Sequence, residues 1–369
     1  MSVSDSKKSK PVTKSKAKKT AKKPGGLLSK LWFKVVLIAS TISLIIVGLL
    51  AYIILLYDNV LSDNKTNYLY IPTGSTYEQV IEIIKKEKIL KNDVTFELVA
   101  QVMKYPRLVK PGRYKIEPKM GNYVLVRNLR IGRQDPVNIS FISIRTKEKL
   151  AEKIGEKLEM SADDFTQAIH DPEVLDSLRL TPETVMAIFI PNTYNIYWNV
   201  KPKKFLFDMK KAFDKFWTAE RRAKAQAINL TPVEVVTLAS IVQEETLKPD
   251  EKPRVAGVYL NRLRDGWKLD ADPTVKYAVG DFSLKRLYFK HTRFDSPYNT
   301  YLYTGLPPGP ITCPSPETID AVLNFEKHDY FFFCARPDFS GYHDFSKDLG
   351  GHNRNAKNYS EKLNELKIK

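Results

Sequence analysis

The chain has 369 residues, 43% of them hydrophobic, and 59 Lys and Arg against 42 Asp and Glu, for a net charge of +17. The apolar content excludes a wholly disordered chain, and only two cysteines exclude a disulfide-stapled scaffold. The charge invites a nucleic-acid reading, but ten of the seventeen positive charges belong to residues 1–34, where eleven lysines from Lys7 to Lys34 face Asp5 alone; no nucleic-acid-binding pattern accompanies them, so no nucleic acid is expected as a partner.

That basic tail, rich in Lys, Ser, Ala and Pro, reads as a disordered segment, residues 1–34. Val35–Tyr57 follows with 23 positions and no formal charge. At the rise of a helix it reaches about 35 Å, enough to cross a bilayer with some tilt. The positive-inside rule places the tail in the cytoplasm, against anionic lipid, and everything after Tyr57 outside. The run is too long for a cleaved signal peptide and no small-residue cleavage site follows it. The expectation is a single-pass anchor in the cytoplasmic (inner) membrane, residues 35–57, with the lipid bilayer as a partner.

Beyond the anchor, Asn59–Tyr68 reads as a linker and Tyr68–Ile71 as a strand. Ser75 and Glu78 form a candidate capping box before a helix carrying Val80, Ile81, Ile83 and Ile84. A helix over about Asp93–Met103, a strand at KPGRY (Lys110–Tyr114), a helix near Val124–Leu129 and a strand over Val137–Ile144 complete a small α/β unit, residues 58–140 including the linker. The pattern then turns mainly helical, at Lys147–Leu158, Ser161–Ile169 and Lys203–Phe216, and the aromatic run Tyr330–Phe333 reads as a buried strand. The fold class is α+β: an N-terminal transmembrane helix, a small α/β subdomain, and a larger mixed α+β subdomain over 141–369, long enough to build a core and a cleft. Cys313 and Cys334 fall in the exported part, where an oxidising compartment permits pairing without requiring it.

The chemistry concentrates in one helix. Thr231, Pro232 and Glu234 make a helix start, with Thr231 as N-cap, Pro232 in the first turn and Glu234 reaching back. The helix should run to about Leu247, before Pro249. At 100° per residue Glu245 projects beside Leu238, Ile241 and Val242, whereas Glu244 points toward Thr237 and Ser240. Burial disfavours the charged form, so Glu245 is expected to hold a proton near neutrality, as a general acid must. The alternative is an amphipathic helix whose last turn frays into solvent. Ser240 lies mid-helix and not in a G-x-S-x-G elbow, no HExxH occurs, His343 and His352 are too far apart for one helical metal pair, and no phosphate-binding glycine loop is present. No metal and no cofactor is expected.

Several separated motifs carry a resemblance. Leu238–Val242 with Glu245, then Asn261-Arg262-Leu263, then Asp272-Pro273-Thr274-Val275 with Tyr277, then Ser296–Tyr301 and Gly305–Gly309 (GLPPG) stand in one order; Lys110–Tyr114 and Ile190–Tyr194 are weaker, collinear matches. Together they resemble the YceG-like endolytic murein transglycosylases, or peptidoglycan terminases, over roughly residues 65–360. The resemblance implies that Glu245 is the catalytic residue, that the small unit is LysM-like, and that the substrate is the peptidoglycan glycan strand, with peptidoglycan synthases as partners at the membrane. Asn192 replaces the family's usual Asp, and Gln243 occupies a position often held by Glu. The LysM-like unit would bind glycan or position the catalytic part by packing.

In the implied reaction a single carboxylate suffices. Protonated Glu245 protonates the oxygen joining N-acetylmuramic acid to N-acetylglucosamine, then takes the proton of the muramyl 6-hydroxyl as that oxygen closes on C1. Asp272, Thr274, Tyr298, Asn299 and Tyr301 are expected to line the sugar cleft, tyrosine faces suiting pyranose rings and Asn amides suiting acetamido groups; for Asp272 the alternative is a turn former before Pro273. Pro307, Pro308 and Pro310 read as a rigid wall. Two other readings stand beside this one: a non-catalytic glycan-binding scaffold in which Glu245 only packs, and a glycan hydrolase that leaves reducing ends.

Overall fold

The structure, a computed structural model, describes residues 28–61, 67–141, 144–284 and 286–366. Most of the basic tail and part of the expected strand over Val137–Ile144 lie outside them. The first half holds α1 (Leu28–Leu55), β1 (Tyr68–Ile71), α2 (Tyr77–Lys86), α3 (Asp93–Val102), β2 (Gly112–Lys115), α4 (Asn122–Ile131), β3 (Val137–Ser140), α5 (Lys147–Lys157), α6 (Ala162–Ala168), α7 (Pro172–Leu178) and β4 (Thr193–Ile196). Helices α8 (Pro202–Phe216), α9 (Ala219–Ala227), α10 (Pro232–Glu245), α11 (Lys252–Arg264), α12 (Asp272–Val279), α13 (Phe289–Thr292) and α14 (Pro316–Leu323) follow, then β5 (Phe332–Ala335), β6 (His343–Ser346) and α15 (Leu349–Glu365). The fold is mixed α+β. Among the described residues the strands form three antiparallel pairs, β1 with β2, β3 with β4 and β5 with β6.

Two apolar cores organise these elements. The first gathers Leu69, Ile71, Val80, Ile84, Phe96, Val99, Tyr114, Leu125 and Leu129 from β1, α2, α3, β2 and α4. The second runs from Val137 to Leu323 and has α10 at its centre. Glu159 bridges the two regions by accepting from the backbone N–H of Thr73 at 2.5 Å and from its hydroxyl at 2.6 Å, while Tyr70 meets Trp198 edge-on at 5.1 Å.

The expected linker is structured at its start. Asp58 bridges to Gly121 and Val60 to Leu90, and the buried Asn59 exchanges hydrogen bonds with Asn92 and donates to Asn122. Residues 62–66 lie outside the described segments. The α2 capping box is one position later than the sequence reading, with Thr76 and Gln79 in place of Ser75 and Glu78. The aromatic run is only half-buried, because β5 belongs to a two-stranded ribbon with no sheet to cover it. Cys313 and Cys334 are both free, Cys313 fully buried.

Helix α10 starts as its sequence dictates. Thr231 accepts from the N–H of Glu234, and the Glu234 carboxylate accepts from the N–H of Thr231 at 2.7 Å. Residues Val235 to Val242 are then all buried, so this helix is a core element packed on every side and not an amphipathic surface helix. The segment just after the GLPPG turn is fastened to the middle of α10: the buried Ser240 hydroxyl accepts from Ile311 N–H at 3.0 Å. A Cβ on Gly309 would collide with the backbone carbonyl of Glu183, whereas Gly305 sits at φ +85° with open space around it. Gly309→Ala is therefore expected to cost at least about 3 kcal/mol by forcing backbone apart, and Gly305→Ala only about 1 kcal/mol for its left-handed conformation. Thermal unfolding of the two variants beside the wild type checks this, and equal losses would contradict it.

Candidate active site

The last residue of α10 is Glu245, two positions earlier than the expected helix end. Thr246 turns the chain out with φ −139° and ψ 137°, and its hydroxyl donates to Glu251 at 3.0 Å while accepting from the N–H of Lys248. Glu251 is itself buried. Its carboxylate accepts from His343 N–H at 2.7 Å and lies 2.7 Å from His343 Nδ1. The end of α10 is thus tied to the start of β6, and Glu245 sits on a fixed stem. His343 serves this bracing network.

The adjacent glutamates have different surroundings. Glu244 forms an ion pair with Arg145 at 2.8 Å. Glu245 remains partly accessible, and one of its oxygens, Oε1, accepts from the Tyr259 hydroxyl at 2.5 Å. Desolvation raises the Glu245 pKa to about 7, reinforced by the negative charge of Asp272 and opposed by the Tyr259 hydrogen bond and the positive charges of Arg262 and Lys276. The carboxyl group thus exchanges its proton near neutrality. With Oε1 engaged by Tyr259, Oε2 is the oxygen that presents the transferable proton.

Tyr259 escaped the sequence reading. It is a buried residue of α11, two positions before the NRL motif, and its ring meets Phe333 edge-on at 5.9 Å. Its pKa is raised by burial and by Glu245, so it stays a hydrogen-bond donor. The only available signal was spacing: Tyr259 and Arg262 are three apart on one helix, hence on one face. The buried Arg262 donates to the carbonyls of Leu269 and Phe331, and Asn261 donates to those of His328 and Tyr330. NRL therefore staples the segment before α12 and the aromatic ribbon onto α11.

The five expected cleft residues separate into two groups. Asp272 is the first residue of α12, not a turn former, and its carboxylate accepts from the Tyr301 hydroxyl at 2.7 Å. Burial and Asp272 push the Tyr301 pKa up, and Glu245 adds to this from nearby. Tyr298 stacks at a tilt on Tyr277, centroids 4.7 Å apart. Thr274 and Asn299 differ from the expectation: both are fully buried. Thr274 donates to the carbonyl of Ala271 and lies 2.8 Å from the Thr300 hydroxyl, and Asn299 donates to the carbonyls of Thr292 and Phe294. Their polar groups are consumed inside the protein, where they shape the 292–301 loop that carries Tyr301. Gln243 is also structural, accepting from Ser315 N–H at 2.7 Å and from the Thr318 hydroxyl at 3.0 Å. Asn192 accepts from the N–H of Thr193 beside it, at the start of β4.

Beside this cluster a small cavity of about 70 Å³ is lined by Arg145, Glu244, Pro273, Lys276, Phe282 and Ile311. A larger one, about 1080 Å³, opens at the other end of α10 among Thr231, Glu234, Leu260, Arg264, Pro307 and Phe325, and does not reach Glu245. The carboxyl cluster, and not the larger cavity, is the candidate site. Among the described residues no cluster of His, Cys, Asp and Glu could hold a metal ion.

Two outcomes follow. Tyr259→Phe removes the bond that favours the Glu245 carboxylate, so its pKa rises further and the high-pH limb of a kcat/KM profile should move up by about one pH unit. A purely structural role would lower the rate without moving the limb. For stability, the folded-state pKa of about 7 lies above the ordinary value of 4.5, so Glu245 destabilises the fold increasingly from pH 4.5 to 7 and by a constant amount above. Glu245→Gln should therefore gain about 1 to 3 kcal/mol at pH 8 relative to wild type, and nothing at pH 4, by denaturant titration.

The YceG-like family model matches residues 69–358. An endolytic murein transglycosylase of Bacillus subtilis is 27% identical over 341 residues, 87% of this chain and 93% of that protein. A protein of the same name from Streptococcus pneumoniae is 27% identical over 325 residues, 80% of this chain, which spans 58% of that longer relative. A crystal structure of a YceG-like protein from Listeria monocytogenes superposes with a TM-score of 0.53 at 27% identity, covering 78% of this chain and 97% of that one. The family match takes in the α10 motif, NRL, the Asp272 helix, the Tyr301 loop and the GLPPG turn together, and the chain belongs to the YceG-like family.

Proposed function

We propose that this protein is an endolytic lytic transglycosylase that cuts peptidoglycan glycan strands internally, with Glu245 as its proton-transfer group. Relatives named endolytic murein transglycosylases support the reaction class, a lyase acting on peptidoglycan. The observation that carries the residue assignment is a desolvated carboxyl with a pKa of about 7 at the end of a buried helix, held by Tyr259 and facing the Asp272–Tyr301 pair.

The reaction balances with one carboxyl group. The Oε2 proton passes to the glycosidic oxygen, and the bond from muramyl C1 to that oxygen breaks to release the N-acetylglucosamine 4-hydroxyl. The Glu245 carboxylate then accepts the proton of the muramyl 6-hydroxyl while O6 bonds to C1, which closes the 1,6-anhydro ring and returns the acid to its starting state. No water is consumed. Asp272, with Tyr301 fixing its orientation, provides negative charge near the ring as positive charge develops on it. Tyr298 offers an aromatic surface to the sugar. Thr274 and Asn299 act beneath the cleft by holding the loop that presents Tyr301.

The anchor and its consequences belong to the same proposal. Lys30–Leu55 is long and apolar enough to cross a membrane. Read as a single-pass anchor with the lysine-rich tail in the cytoplasm, it holds the cleft on the outer face, where new strands emerge from peptidoglycan synthases, and cutting there ends strand elongation. In this reading the first core is the LysM-like unit, which engages glycan or positions the catalytic part by packing.

The test is incubation of full-length wild type and Glu245→Gln, in detergent, with uncrosslinked peptidoglycan strands and mass spectrometry of the new ends. Internal 1,6-anhydromuramyl ends made by the wild type and reduced at least about 100-fold in the variant are expected. Reducing ends would show a hydrolase, binding without cutting by either protein a scaffold, and equal cutting by both would remove Glu245 from the mechanism.

A further inference from the structure

Helix α3 is apolar on two opposite faces. Its inner face, Phe96, Val99 and Ala100, is buried in the first core. Its outer face repeats Val94, Leu98 and Val102 at intervals of four, and these are 76%, 50% and 71% exposed. Polar side chains (Asp93, Thr95, Glu97 and Gln101) separate the two faces, so the outer stripe is a second apolar face beyond the one the core buries, and an exposed apolar stripe of this kind marks an interaction surface.

The place of α3 indicates what covers this face. Its N-cap Asn92 exchanges hydrogen bonds with Asn59, immediately after the membrane-crossing segment. Asn122 donates both to the carbonyl of Ile54, inside α1, and to the Thr95 hydroxyl of α3. The first turn of α3 is therefore clasped beside the last turn of α1. The approach is close: a Cβ on Gly121 would stand 2.7 Å from the Leu56 carbonyl oxygen.

The surroundings suit the edge of a bilayer. Tyr57 and Tyr123 are exposed next to the clasp, with the Lys91 ammonium 5.9 Å from the centre of the Tyr57 ring. Tyrosine and lysine at the end of a span are interfacial residues. Glu97, the acidic side chain next to Leu98, is paired with Lys85 at 2.9 Å.

We propose that the outer face of α3 lies in the lipid headgroup and upper acyl region, so that the first core rests on the membrane and does not swing on a tether. The inference rests on reading α1 as a membrane span. The asparagine clasp transmits the position of α1 to the first core, and the Glu159 and Trp198 contacts carry it to the second. Such a stance fixes the height of the Glu245 cleft above the bilayer.

The test places an environment-sensitive fluorophore on single introduced cysteines in full-length protein reconstituted into vesicles of phosphatidylcholine and phosphatidylglycerol, in a Cys334→Ser background. Positions are Ile45→Cys in α1, Leu98→Cys in α3 and Lys211→Cys in α8, and the quenchers are spin-labelled lipids or aqueous iodide. The proposal expects Ile45 and Leu98 labels to lose at least about half their emission to lipid quenchers, the Leu98 label best with the shallow one, while the Lys211 label responds only to iodide. A Leu98 label that behaves like Lys211 while Ile45 is quenched overturns the proposal and leaves the anchor intact. A Leu98 label shielded from both quenchers shows a protein partner or second copy on this face and also overturns it. Failure of lipid to quench Ile45 removes the anchor, and the proposal with it.

Discussion

The structure turns on the desolvation of one carboxyl group. Helix α10 is buried along Val235–Val242, so its final residue emerges at the edge of the core, partly accessible. At that boundary Glu245 loses enough water to hold its proton near neutrality and keeps enough access to transfer it. Asp272 pushes the balance toward the acid, and Tyr259, Arg262 and Lys276 push it back. The opposing effects leave a group poised between acid and base, the condition for one carboxyl to serve both halves of a reaction.

Much of the surrounding architecture keeps that group in place. Ser240 fastens the segment that follows the GLPPG turn, Gln243 fastens the N-terminus of α14, and Thr246 with Glu251 and His343 fastens the exit of α10 to β6. Each uses a side chain of α10, or of the residue just after it, to bind a segment distant in sequence. NRL does the same for α11, whose Tyr259 reaches Glu245 while Arg262 and Asn261 grip neighbouring carbonyls. Residues that look like a catalytic signature in sequence are thus mostly the scaffold around a single carboxyl group, the one proposed to transfer the proton.

This explains what was legible from the sequence. The helix start at Thr231, the apolar neighbours of Glu245 and the long uncharged segment follow from local rules of capping, periodicity and length, and the structure shows each of them. Tyr259 was not legible, because its role depends on α11 crossing α10, which no local pattern encodes. Thr274 and Asn299 looked like cleft residues because polar side chains in a motif-rich loop resemble ligands; only the three-dimensional fold shows their hydrogen bonds satisfied internally. The end of α10 was placed two residues late because Thr246 turns out of the helix toward Glu251, whose position is set by the distant His343 of β6. The Asn59 segment read as a linker for the same reason, its partners lying about Asn92 and Asn122.

The central claim, a Glu245 carboxyl that titrates near neutrality, is tested most directly by carbon NMR of protein labelled at glutamate side-chain carboxyls, comparing wild type with Glu245→Gln across pH 3 to 9. The account predicts one resonance with a midpoint of about 7 that is missing from the variant. A missing resonance whose midpoint lies at about 4.5 would contradict it, for Glu245 would then be a carboxylate at neutral pH with no proton to give.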